Sequence, residues 1–148
     1  MDTPRSVATA AGLGVAAGLA GTAAMSVSTA IETRLGAQPA SAAAPQAAGK
    51  VLRVRPGSKW FAAVVHLGYG SGWGLARAAL GSLGLSAPKA SAAHLAALWT
   101  SEQVALPALG VSPPVTRQRP SDIAADAWNC LAYAAITSAV YELLDHAR

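Results

Sequence analysis

The stretch His66-Leu-Gly-Tyr69-Gly70-Ser-Gly72-Trp73-Gly74-Leu-Ala-Arg77 constrains the chain most. It has the apolar character of a helix interior, yet it holds four glycines. A glycine in an aqueous helix costs about 1 kcal/mol relative to alanine. Helices packed in a bilayer use glycine because small residues let two backbones approach closely. Gly68 and Gly72 form one small-xxx-small pair, and Gly70 and Gly74 form an overlapping one. His66, Tyr69 or Gly70, Trp73 and Arg77 fall on one stripe of such a helix. The stretch therefore predicts a helix packed inside a membrane bundle.

Three further segments fit that frame. Residues 7–31 contain no charge, and at about 1.5 Å per residue they exceed a hydrocarbon core of about 30 Å. Gly14, Gly18 and Gly21 recur there at spacings of four and three, a narrow seam for a neighbouring helix. The predicted helices are 7–33, 60–80, 90–109 and 121–144. Gly84 and Pro88 break the chain before the third. Pro107 lies in its last turn, and the run Gly110 to Pro114 closes it. Ser121 is the expected N-cap of the fourth, with Asp122 in its first turn. Residues 37–58, rich in Ala, Pro, Gln and Ser and ending in basic residues, predict a mobile linker. The fold class is thus all-α, one four-helix transmembrane bundle. Matches of Gly36–Pro39 to Gly110–Pro113, Tyr69 to Tyr133 and Leu80 to Leu144 suggest two related helical hairpins.

Charged residues make up only 12% of the 148 residues and hydrophobic ones 53%, about half the charged share of a soluble domain. An alanine-rich soluble bundle is the competing reading. A signal peptide with cleavage near Ala40–Ala44 is another; the length of the apolar run, the intervening Glu32 and Arg34 and the apolar later segments argue against it. The net charge of +4 does not point to nucleic acid, because most basic residues flank apolar segments. Loops 1 and 3 would carry Arg34, Lys50, Arg53, Arg55, Lys59, Arg117 and Arg119, against Arg5, Lys89, Arg148 and a snorkelling Arg77 on the other side. This asymmetry places loops 1 and 3 in the cytoplasm and both termini outside.

Counting ~1.5 Å per residue from the loop 1/3 face sets the depth of each polar residue inside the helices. His66 falls roughly 10 Å in, Glu102 roughly 10–12 Å, Asp126 and Asn129 roughly 8–12 Å and Ser28 roughly 8 Å. These five form a candidate intramembrane polar layer, able to bind a cation, relay protons or simply fix the bundle's register. Glu32 and Asp122 are expected to be ordinary end-of-helix charges. His94, in the first turn of its helix, is expected at the opposite interface and too far from His66 to share a haem iron. The lone Cys130 excludes an internal disulfide and a cysteine-based metal site, and His66, His94 and His146 show no metal-ligand spacing, so no metal is expected. No serine stands in a nucleophile elbow, so no catalytic residues and no cofactor are predicted. The expected partners are the lipid bilayer and, since four small helices enclose little volume, further copies of the chain. Gly14, Gly18, Gly21, Gly68, Gly70, Gly72 and Gly74 are the expected helix-packing positions.

His66-Leu-Gly-Tyr69 at a helix start, and Leu106-Pro-Ala-Leu-Gly110-Val-Ser-Pro-Pro114-Val at a helix end, resemble the YagU-like family of bacterial inner-membrane proteins. The similarity covers about the last three helices. Where relatives carry a histidine in the last helix, this chain has Asn129-Cys130. The resemblance implies a multi-pass inner-membrane protein without an established activity, and one relative is linked with acid tolerance. The functional expectation is a non-enzymatic accessory or stress-related membrane component. The alternative is a small transporter or a proton or cation pathway through the polar layer.

Overall fold

A computed structural model describes residues 6–34, 43–55 and 59–147. Residues 37–42 and 56–58 of the expected linker, and the side chain of Glu32, lie outside the described residues. The architecture is all-α. The elements are α1 (Val7–Arg34), α2 (Ala43–Leu52), α3 (Lys59–Ser82), α4 (Ala87–Ala108), a short 3₁₀ turn (Val115–Arg117) and α5 (Pro120–His146). Among the described residues one helix, over Val7–Ile31, is long and apolar enough to cross a membrane by length and composition.

The four long helices match the expected ones, and local chemistry sets their ends. Pro88 and Pro120 stand in the first turn of α4 and α5, where a missing N–H removes no helical bond. Each helix therefore begins before the predicted boundary. Arg119, not Ser121, takes the N-cap of α5. At the end of α4, Gly110 adopts φ +63°, its N–H donates to Pro107 O and the Val111 N–H donates to Leu106 O. This is a Schellman closure, which places a left-handed residue just past the helix and is suited to glycine.

The expected linker is not all linker, because residues 43–52 form α2. Its low complexity conceals an apolar stripe. Ala43, Ala44, Ala47, Ala48, Val51 and Leu52 line a chamber, while Gln46 and Lys50, one turn apart, are exposed. The Lys50 ammonium donates to the carbonyls of Leu109 and Gly110, each at 2.7 Å. A cation at the negative end of α4 is favoured by the helix dipole, so one lysine anchors α2 across the end of the bundle.

Helix α1 crosses α3 along a glycine seam. A Cβ on Gly14 would stand 2.6 Å from Gly74 O and 2.8 Å from Ala78 Cβ, and one on Gly18 or Gly74 would collide with the facing backbone. Gly21 instead meets Tyr133 and Thr137 of α5. Gly14, Gly18, Gly21, Gly70 and Gly74 thus lie against a neighbouring helix. Gly68 and Gly72 do not, since open space surrounds both. Two residues along a helix is about 200° around it, so when Gly70 and Gly74 face α1 the other pair must face away.

Polar side chains are buried beside an apolar core of Leu13, Ala17, Ala78, Leu98, Cys130, Tyr133 and Tyr141, and many apolar side chains face outward. Thr22, Arg77, His94, Asn129, Thr137 and Ser138 are buried. Leu19, Val27, Ile31, Val64, Leu67, Leu75, Val104, Leu131, Ile136 and Leu143 are exposed. Arg77, expected to snorkel outward, is 0% exposed. It shares the buried face of α3 with Gly70, Gly74 and Ala78, which points it at α5 and not at the surroundings. There it pairs with Glu142 at 2.5 Å, donates to Ser138 Oγ at 3.1 Å and lies 4.9 Å over the Tyr141 ring.

Candidate functional site: a carboxylate-lined chamber

A chamber of about 370 Å³ opens between α2 and the adjoining parts of α1, α3, α4 and α5. Its wall is largely apolar. Helix α2 contributes the stripe described above, α1 contributes Thr22 and Met25, and α4 contributes Leu98, Ala105 and Leu106. Besides Thr22 of α1, the polar groups are His66 and Tyr69 from α3, Ser101 and Glu102 from α4, and Asp126, Cys130 and Tyr133 from α5.

Helical spacing brings these side chains together. His66 and Tyr69 are three residues apart and Asp126 and Cys130 are four apart, so each pair shares a face of its helix. Glu102 lies between the two faces. It accepts from the Tyr69 hydroxyl at 2.9 Å on Oε1 and from the Cys130 thiol at 3.1 Å on Oε2. Asp126 accepts from the Gln103 amide at 2.6 Å. Tyr133 donates to the Gly70 carbonyl at 2.5 Å, pinning α5 to α3 next to the glycine seam. One carboxylate oxygen of Glu102, one of Asp126 and the Cys130 sulfur lie within 4.8 Å of one another. Oxygen and sulfur donors that close are a chemically competent set for a divalent metal. The lone cysteine therefore does not exclude a metal site, because two carboxylates complete the donor set. No lysine or arginine lines the chamber among the described residues.

Three of the five polar-layer residues predicted from depth, His66, Glu102 and Asp126, line this one chamber. Asn129 is buried but is not part of the lining, and half-buried Ser28 is not part of it either. Counting residues fixes a side chain's level along a helix and leaves its direction around the helix open. The α1 residues that reach the chamber, Thr22 and Met25, are deeper in the helix than Ser28. His94 faces the interior of the bundle. It is 0% exposed, with its ring 6.0 Å from that of Trp73 and 5.9 Å from that of Tyr133. Helix α4 starts at Ala87, which carries His94 about two turns inward.

Sequence reasoning missed Tyr69 and Cys130 as chamber residues and missed the α2 wall. The four-residue step from Asp126 to Cys130 was the available signal. Comparison of the chain with protein-family models, with curated proteins and with solved structures gave no match.

Proposed function

We propose that the chain is a four-span protein of the bacterial cytoplasmic membrane whose chamber binds a cation, as part of a small transporter or a proton or cation pathway. At about 1.5 Å per residue, the 24, 22 and 27 residues of α3, α4 and α5 are long enough for a core of about 30 Å. Their outward apolar side chains and inward polar ones suit a hydrocarbon solvent, in which charged groups face the bundle interior and pair there. Helix α2 then lies at the loop 1/3 face, across the mouth of the bundle. Membership among the YagU-like inner-membrane proteins, two-hairpin ancestry and assembly with further copies belong to the same proposal. Tyr69 and Tyr133, matched by the repeat reading, both line the chamber.

One observation carries the reading. Glu102 and Asp126 meet in the wall of a largely apolar chamber that, among the described residues, no basic side chain but His66 lines. Two carboxyl groups facing hydrocarbon without a fixed countercharge need a proton or another cation. The test is cation and proton flux into liposomes holding the purified chain. Glu102→Gln with Asp126→Asn is expected to abolish flux while the protein still folds and reconstitutes. Unchanged flux from the variant rejects the reading.

The hydrogen bonds that Tyr69 and Cys130 already give Glu102 favour a second reading, a non-enzymatic accessory or stress-related component in which the cluster only fixes helix register. Its mark is that the same variants lower stability and that no flux exists to lose.

A further inference from the structure

The chamber has two chemistries in one volume, and an occupant must suit both. We propose that it is built for a lipophilic organic monocation, a hydrophobic amine or quaternary ammonium; this deepens the cation-binding reading and rests on it. Glu102 and Asp126 repel anions, and no lysine or arginine among the lining residues offsets them. A neutral apolar guest would bring no countercharge to the two carboxyl groups, which accept hydrogen bonds from the neutral donors Tyr69, Cys130 and Gln103. A small inorganic ion would engage the Glu102–Asp126–Cys130 corner alone and leave the alanine and leucine walls unused.

Size and aromatic placement agree. The 370 Å³ volume is about two and a half times the roughly 150 Å³ that accepts one benzene, enough for a phenyl ring with a substituted ammonium head. Tyr69, bonded to Glu102, and Tyr133 both line the chamber, and aromatic faces bind quaternary ammonium by cation–π attraction. Ala47 on α2 belongs to the apolar wall at the other end of the recognition problem.

The experiment is equilibrium dialysis of the purified full chain in detergent micelles against radiolabelled benzyltrimethylammonium. Neopentylbenzene, its uncharged isostere, and zinc ion serve as competitors. Saturable binding at one site per chain is expected. Glu102→Gln with Asp126→Asn should weaken it by about tenfold or more. Ala47→Phe, which keeps both carboxylates and alters only the α2 wall, should weaken it comparably by filling the volume. Neopentylbenzene at equal concentration should not displace the cation. Displacement by the neutral isostere overturns the proposal in favour of a merely apolar void. Zinc binding that Cys130→Ala abolishes, without organic-cation binding, overturns it in favour of a metal site. Flux that depends on Glu102 and Asp126 without organic-cation binding removes this inference and leaves the broader reading. Absence of both flux and binding removes the two together.

Discussion

Alanine substituted for glycine should have opposite effects on the two faces of the same helices. On the open face, at Gly12, Gly68 and Gly72, a Cβ meets nothing within 4 Å. The change there should be neutral or stabilising, by up to about 1 kcal/mol of helix propensity per site. On the seam, the added Cβ of Gly14 would stand 2.6 Å from Gly74 O, whereas carbon contacts prefer about 3.5–4.0 Å. The helices would have to part by about 1 Å, and a gap of that size forfeits a quarter to a half of each contact across the seam. At Gly18 and Gly74 the obstruction is backbone of the facing helix, which no rotamer change can relieve. Overpacking typically costs about 1–3 kcal/mol, which outweighs the propensity gain at Gly18 and Gly74. The assay is thermal unfolding of the purified chain in detergent. For a chain of this size each kcal/mol shifts Tm by about 2–4 °C. Gly18→Ala and Gly74→Ala should lower Tm by several degrees, and Gly12→Ala, Gly68→Ala and Gly72→Ala should hold or raise it. Equal losses on both faces would refute the assignment of the seam.

Removing Arg77 alone should be far worse than removing it with its partner. Arg77→Met strands Glu142, and breaking a buried pair costs about 3–5 kcal/mol, at the lower end here because Glu142 is 28% exposed. Arg77→Met with Glu142→Leu should recover much of that loss in the same unfolding assay. Lys50→Gln removes the donor to Leu109 and Gly110, so limited proteolysis within residues 43–55 should quicken while the four long helices stay protected.

The chain's sequence reveals level and spacing better than direction. The seam of Gly14, Gly18, Gly70 and Gly74 was legible because small residues four apart must share a face. Gly68 and Gly72 satisfy the same spacing, and only the position of α1 decides between the pairs. His66, Glu102 and Asp126 were placed at one depth from helix ends that prolines and glycines set to within a few residues. Arg77 was misplaced for a related reason. An arginine near a helix end has an outward and an inward option, and Glu142, 65 residues away, decides it. His94 lies about one turn further along its helix than expected because Pro88 starts the helix instead of stopping the chain. Helix α2 was hidden because alanine contributes to an apolar face yet also dominates low-complexity linkers. Cys130 went unassigned because a single thiol was weighed alone, while its chemistry depends on carboxylates one turn away and on another helix.

Membrane integration and topology test the account most directly. The chain would be expressed with a reporter at either terminus, and the membranes fractionated and washed with alkali. The account predicts that the protein stays in the washed membrane with both termini outside, so that α1, α3, α4 and α5 all cross and Glu102 and Asp126 face a chamber within the bilayer. Release by the wash, or termini on opposite sides, would contradict it.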